Sequence, residues 1–285
     1  MNQKKFLITG GSGQLAKEFA AYFDEHHYSY GTPQEGDLDI TDPGQIERVV
    51  ETEHPDVLIN CAAYNQVDLA EDDCDKVFKV NSDAVGSLAS ICRQRSIFLV
   101  HFSSDYVFDG QKGSPYTEDD KPSPLNVYGA SKLKGEENLK RRTKDYLIFR
   151  LSWVFGNGPM NFLFKLSQWA RQNNQLKIAS DEISVPTYTQ DVVRVTLGAL
   201  DKGLKGLYHL TNSGFCSRYE WAKYYFQKKD EKKDIVPVPM ASFDLKAQRP
   251  PFSAMDNRKI AKELGIEIPS WESGVDRYVA KYPAS

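Results

Sequence analysis

Cysteine is scarce and unpaired in this sequence. Cys61, Cys74, Cys92 and Cys216 lack the close spacing of a disulfide frame or a zinc site. Such usage fits reduced thiols and a cytoplasmic setting. His26, His27, His54, His101 and His209 show no metal-ligand spacing either, and no metal is expected. No apolar run approaches the roughly 18 residues a membrane span needs. An excess of one charge is missing too: 36 basic against 39 acidic residues leave a net charge of −3. That gives no footprint for nucleic acid or an anionic membrane. The first residues pass directly into a strand-like run, so no signal peptide is expected. Repeats and low-complexity tracts are likewise absent.

What is present begins with a glycine turn. Lys4-Lys5-Phe6-Leu7-Ile8-Thr9 reads as a short buried strand, and Gly10-Gly11-Ser12-Gly13-Gln14-Leu15-Ala16 then opens a helical stretch through Phe23. Glycines at such a turn let backbone approach a pyrophosphate, and the helix N-terminus supplies amide N–H groups and a favourable dipole. Ala16 holds the last small position, where helix and strand pack closely. A glycine loop in this strand-to-helix context points to a dinucleotide.

The first half then alternates strand and helix. Asp56–Asn60, Ser96–Phe102 and Tyr146–Arg150 are apolar runs that suit strands buried on both faces. Helical stretches are expected at Pro43–Glu53, Asp75–Arg95 and Asn126–Arg142. This alternation argues for an α/β fold with a doubly wound parallel sheet of Rossmann type. Ligands of such sheets bind beyond the carboxyl ends of the strands, which places Cys61-Ala62-Ala63 and Ser104 on the cofactor edge. Past Arg150 the rhythm changes through the aromatic loop Ser152–Pro159. Helices are expected at Asn161–Gln172, Gln190–Leu200, Ser217–Gln227 and near Asn257–Leu264, with a strand at Gly206–Leu210. The charged run Lys228–Asp234 is expected as a solvated connection. The 40% hydrophobic and 26% charged fractions over 285 residues suit a globular chain of one large or two modest domains. A dinucleotide-binding domain over 1–150, with a returning segment near 189–212, and a smaller substrate-binding domain over 151–285 are expected.

Tyr128 and Lys132 sit four residues apart in Asn126-Val127-Tyr128-Gly129-Ala130-Ser131-Lys132. Residues at i and i+4 share a helix face, so phenol and ammonium point the same way. A free phenol has a pKa of about 10, and a fixed neighbouring cation lowers it. Tyr128 is thereby a candidate proton donor and acceptor, with the Ser104 hydroxyl placed to hold the reacting oxygen. The competing arrangement is an ordinary surface ion pair of Lys132 with Glu136 and a half-buried Tyr128. The order Lys before Glu is the weaker orientation for such a pair.

These residues resemble the extended short-chain dehydrogenase/reductase family and, within it, the dTDP-4-dehydrorhamnose reductases. The blocks that carry the likeness are Thr9–Leu15, Asn60-Cys61-Ala62-Ala63-Tyr64 with Val67-Asp68, Ser103-Ser104-Asp105-Tyr106-Val107-Phe108, Pro124–Lys132, Arg150-Leu151-Ser152-Trp153 and Arg249-Pro250. The resemblance implies reduction of the C4 ketone of a nucleotide-linked 6-deoxy sugar, dTDP-4-dehydro-L-rhamnose, for surface or coat polysaccharide. Tyr128 would protonate the oxygen, Lys132 would hold the nicotinamide ribose and depress the tyrosine pKa, and Ser104 would bond the same oxygen. Gly10, Ser12, Gly13, Gln14, Leu15, Thr32, Asp39, Ile40, Cys61, Ala62, Ala63, Tyr64 and Phe102 would complete the cofactor site. Asn65, Val67, Asp105 and Tyr106 would line the substrate pocket, Trp153 would pack on the sugar, and Arg249 would reach the diphosphate. Some relatives bind Mg²⁺ through carboxylates at a dimer interface. Glu18 matches one such position, but Gln190 occupies another, so none is expected here.

After the expected second strand, Tyr28–Thr32, no acidic residue stands ready for a ribose 2′-hydroxyl, which weakens a strict NAD preference. Neither does any Lys or Arg lie between Lys17 and Arg48 to meet a 2′-phosphate. NADPH is expected, with NADH usable. The residues leave the oligomeric state open, a homodimer being a common arrangement on base rates. Two rival functions share the resemblance. A nucleotide-sugar dehydratase or epimerase recycles a bound nicotinamide, but a dehydratase needs an acidic pair where Asp105 is followed by Tyr106. A non-catalytic subunit like the regulatory subunit of methionine adenosyltransferase has no need of Ser104, Tyr128 and Lys132 together.

Overall fold

The computed structural model describes residues 4–34 and 36–282. Its first half is the expected alternation: β1 (Lys5–Thr9), α1 (Gln14–Glu25), β2 (Ser29–Gly31), α2 (Pro43–Glu53), β3 (Val57–Asn60), α3 (Cys74–Phe78), α4 (Ala84–Gln94), β4 (Phe98–Ser104), α5 (Val127–Arg142) and β5 (Tyr146–Leu151). The second half is β6 (Val154–Phe155), α6 (Phe162–Gln172), β7 (Gln175–Ala179), β8 (Ile183–Ser184), β9 (Thr187–Tyr188), α7 (Thr189–Asp201), β10 (Gly206–His209), β11 (Cys216–Ser217), α8 (Arg218–Lys228), β12 (Asp234–Val238), α9 (Arg258–Leu264) and α10 (Trp271–Lys281).

Six strands form one parallel sheet in the order β10-β5-β4-β3-β1-β2. The order reverses between β1 and β3, and the crevice at such a switch point is where an α/β sheet binds its ligand. Both faces are covered, as a parallel sheet requires. Phe6 and Ile8 point into one core with Phe19 and Phe23 of α1 and Val192 and Val193 of α7. Leu7 between them points into the other, with Ile46 of α2, Leu88 of α4 and Leu139 of α5. A third cluster gathers Phe155, Leu166, Trp221, Tyr225 and Tyr278.

Local chemistry explains the boundaries. Asn126 caps α5 by accepting from Gly129 N at 2.7 Å, and its amide donates to Gln248 O at 2.7 Å. One residue thus starts the helix and ties it to the segment at 247–250. Ser217 and Glu220 form a capping box on α8, the signature Ser-x-x-Glu carries in sequence.

Four features depart from the sequence expectation. The helix expected over Asp75–Arg95 is interrupted by a π-turn at Lys79–Asp83, an irregularity often found at functional sites. The charged run does not stay a loop to its end, because Asp234 opens β12, which pairs in parallel with β7. Helix α10 was not anticipated, since its Trp271, Val275 and Tyr278 serve the small third cluster rather than the main sheet. Strand β4 also runs two residues beyond Phe102, through Ser104.

Candidate active site

The turn after β1 touches the turn after β3. Gly10 has φ +71, and a Cβ there would lie 2.7 Å from Ala62 N, so only glycine fits between the two loops. Ser12 and Gly13 are exposed. Gly13 begins α1 with no side-chain cap and no acidic residue in the first turn. A 12-residue helix whose first N–H groups are left to the outside is a fitting cradle for a pyrophosphate. Thr32 stands at the same edge, its Oγ1 2.6 Å from where a Gly11 Cβ would lie. Leu15 packs on the α1 core, and the Gln14 amide donates to Val154 O at 3.1 Å. Asp39 is exposed and its carboxylate accepts from Thr41 N, while the Ile40 side chain is buried in the second core. These features suit a nicotinamide dinucleotide.

On α5, Lys132 is 3% exposed, and its ammonium donates to Phe102 O of β4 at 2.6 Å. Burial pushes its pKa down to about 8, against the pull of Glu136 and Cys61. Lys132 and Glu136 are therefore not a surface ion pair. Glu136 is fully buried and bonds Arg150 through both oxygens at 2.8 Å, with Ser103 Oγ donating at 2.6 Å. Arg150 outcompetes the ammonium because its planar fork matches a carboxylate in two bonds.

Tyr128 is half-buried, and its phenol donates to Asn65 Oδ1 at 3.5 Å. The sequence expectation that a neighbouring cation lowers this phenol needs correction. Burial pushes Tyr128 up to about 12, Ser104 pulls it back, and Asp105 pushes it up further. The physical reason is the direction of Lys132, which is turned onto the Phe102 carbonyl. Ser104 ends β4 and accepts from Tyr106 N at 3.2 Å. Gly129 lets the first turn of α5 press against this segment, since a Cβ there would lie 2.1 Å from Tyr106 O. Gly129→Ala is expected to cost about 1–3 kcal/mol by overpacking and to lower kcat by displacing Tyr128. Chemical denaturation and steady-state kinetics on the same sample check both.

The remaining expected residues surround this centre. Tyr106 meets the Tyr128 ring edge-on at 5.8 Å, and its hydroxyl donates to Glu182 Oε1 at 3.4 Å. Trp153 has φ +40, a costly conformation for a bulky residue and one that clusters at functional sites. Its ring stacks on Trp221 at 5.7 Å, with the Arg218 guanidinium 3.6 Å from one face and 5.6 Å from the Trp221 ring. Arg218 and Trp221 thus lie on the same side of the indole, and neither covers its opposite face. Arg249 grips Asp68 with two bonds, of 2.9 and 2.6 Å, so its guanidinium braces the loop that carries Asn65 and Val67. Glu18 accepts from Thr189 Oγ1 at 2.9 Å and meets Lys281 at 3.5 Å.

Sequence reasoning missed Asn81. It sits in the π-turn, 1% exposed, and its amide donates to Tyr64 O and Ser131 Oγ at 3.0 Å while accepting from Tyr64 N at 2.9 Å. Ser131 Oγ in turn donates to Tyr128 O at 2.7 Å. Asn81 therefore clamps the Ala63-Tyr64 loop to the first turn of α5. A buried polar residue inside an otherwise apolar helix pattern was the available signal. Arg218, Ser184 and Ser253 were also missed, because they reach the site from distant sequence.

A parallel sheet with a glycine turn at its switch point, and Ser104, Tyr128 and Lys132 beyond its carboxyl edge, has the frame of an extended short-chain dehydrogenase/reductase. The family model described as the RmlD substrate binding domain matches residues 4–283, and the chain belongs to that family. A dTDP-4-dehydrorhamnose reductase of Burkholderia thailandensis is 34% identical over 288 residues, covering 95% of this chain and 96% of the relative. The spore coat polysaccharide biosynthesis protein SpsK of Bacillus subtilis is 33% identical, covering 96% of each. Among solved structures, a dTDP-4-dehydrorhamnose reductase of Bacillus anthracis in complex with NADP superimposes with a TM-score of 0.94. It is 32% identical and covers 98% of this chain and 99% of that one.

Proposed function

We propose that this chain reduces the C4 ketone of dTDP-4-dehydro-L-rhamnose to give dTDP-L-rhamnose, using NADPH, for surface or coat polysaccharide. The names of its relatives and the NADP-bound neighbour support the reaction and the cofactor. The observation that carries the reading is local: Tyr128 and Ser104 meet at the carboxyl edge of β4, with Lys132 fixed beside them on Phe102 O.

When bound, NADPH supplies the hydride. The chain's own residues do the rest. Tyr128, held protonated by its surroundings, gives its proton to the C4 oxygen, and positioned transfer of this kind is typically worth roughly 10²–10⁴-fold. Lys132 remains charged below its pKa of about 8 and holds the nicotinamide ribose. Gly10, Ser12, Gly13, Gln14 and Leu15 present the start of α1 to the pyrophosphate. Thr32, Asp39, Ile40, Cys61, Ala62, Ala63, Tyr64 and Phe102 flank the rest of the cofactor. Asn65, Val67, Asp105, Tyr106 and Trp153 enclose the sugar, with Arg249 toward the diphosphate. Residues 1–150 with 189–212 are proposed as the cofactor domain, and the rest of 151–285 as the substrate domain. Among the described residues no helix is long and apolar enough to cross a membrane. A cytoplasmic homodimer is the proposed working form.

The test is stoichiometric. Purified protein, offered a panel of dTDP- and UDP-linked 4-keto sugars, should oxidise one NADPH per dTDP-4-dehydrorhamnose reduced. An epimerase, a dehydratase or a regulatory subunit would consume none. Steady-state kcat/KM should favour NADPH or accept both dinucleotides. A preference for NADH above about a hundredfold, or 2.7 kcal/mol, would contradict the cofactor assignment.

A further inference from the structure

Arg218 opens α8, and its side chain is 19% exposed. Its guanidinium carbon lies 3.6 Å from the centre of the Trp153 ring and 5.1 Å from that of Phe162. Among the described residues its guanidinium meets one acceptor, Glu182, where Nε donates to Oε2 at 3.3 Å. The four terminal N–H groups of the fork bond to no described protein group. Arg249 is used differently. Its Nη1 donates to Asp68 Oδ1 at 2.9 Å and to Ala247 O at 2.7 Å, and its Nη2 to Asp68 Oδ2 at 2.6 Å. Most of its donors are therefore spent inside the chain.

The neighbours of Arg218 put it on the substrate side. Glu182 Oε1 accepts from the Tyr106 hydroxyl at 3.4 Å, and Tyr106 meets the Tyr128 ring edge-on at 5.8 Å. One carboxylate thus joins Arg218 to the wall beside the proton donor. Arg218 and Arg249 both act on the Tyr106 hydroxyl, so two cations converge on that wall. Asp105, an anion of the same wall, accepts from Ser104, Ser184 and Ser253 at 3.1, 2.9 and 2.5 Å. Those three hydroxyls satisfy it without a bond to Arg218. A guanidinium stacked on an aromatic ring keeps its N–H edge free, and that edge matches a phosphate in two bonds.

We propose that Arg218 is the principal contact for the diphosphate of the nucleotide sugar, through the unpaired N–H edge of its stacked guanidinium, with Arg249 adding less. This deepens the reading above and rests on the substrate being a nucleoside diphosphate sugar. No bond forms or breaks at this contact. It is present in ground and transition states alike, so it acts on KM more than on kcat.

Binding of dTDP and dTMP to the protein with NADP⁺ bound, measured by calorimetry, tests the assignment. The two ligands differ by the one phosphate that would adjoin the sugar. Wild type should bind dTDP more tightly. Arg218→Met keeps an apolar stem against Trp153 but removes the fork. It should cut the preference for dTDP by about ten- to a hundredfold, the worth of hydrogen bonds to a charged group. KM for the nucleotide sugar should rise similarly, with a much smaller change in kcat. A merely structural loss would weaken both ligands alike and leave their ratio in place. Arg249→Met should move the ratio less. Glu182→Gln keeps the shape of the side chain but removes the negative charge beside the fork, so the preference for dTDP should rise. That variant carries the test alone if Arg218→Met does not fold. The proposal is overturned by a wild-type ratio in Arg218→Met, a larger drop in Arg249→Met, or no rise in Glu182→Gln. A wild type that binds neither nucleotide would instead sink the underlying reading of the substrate.

Discussion

Tyr128→Phe should abolish detectable turnover, a loss of at least the roughly 10²–10⁴-fold that a positioned proton donor supplies, while NADPH affinity stays nearly intact. The ring remains, so its edge-on contact with Tyr106 and the start of α5 are unchanged. Only the hydroxyl that reaches Asn65 Oδ1 and Ser104 is removed. Equal losses in kcat and kcat/KM would mark an interaction made only in the transition state. Cofactor titration by fluorescence separates this outcome from a collapsed site. Wild-type rates in the variant would show that another group delivers the proton.

The second large effect is expected on stability. Glu136→Leu leaves Arg150, 3% exposed at its side chain, without its carboxylate, and Ser103 without its acceptor. Removing one partner of a buried pair typically costs about 3–5 kcal/mol. Glu136→Leu/Arg150→Met should recover most of that loss, because the desolvation cost of both charges disappears with them. Denaturant melts of the wild type, Glu136→Leu, Arg150→Met and the double variant form the cycle that checks this. The acid dependence has a definite sign. Arg150 helps hold the Glu136 pKa down to about 2, below its unfolded value of about 4.3. Its contribution is therefore present above about 4.3 and lost as pH falls through about 2. Glu136 also supports the charge on Lys132, so the single variant should bind NADPH less well at neutral pH.

The parallel sheet was legible because its strands carry apolar runs that alternate between two cores, as Phe6, Leu7 and Ile8 do. The glycine turn was legible for a similar reason, since Gly10 is fixed by steric contact with Ala62. The i,i+4 geometry of Tyr128 and Lys132 set the two on one face of α5. Their electrostatics could not be read at that level, because the carbonyl that captures Lys132 comes from another strand. Arg150 and Glu136 looked unrelated, 14 positions apart on strand and helix, until β5 was laid beside β4. Ser184 and Ser253 lie 79 and 148 residues from Asp105, a distance over which one sequence carries no local pattern. Asn81 left a trace, a buried amide within a helical stretch, but its backbone packs against Gly135 of α5, 54 positions away.

A crystal structure of this chain with NADP⁺ and the nucleotide sugar tests the central claim most directly. The account requires the Tyr128 hydroxyl within hydrogen-bond reach of the sugar's C4 oxygen, and the Lys132 ammonium on the nicotinamide ribose. A complex that seats the nicotinamide ring away from both side chains, or turns the C4 oxygen toward a different donor, would contradict it.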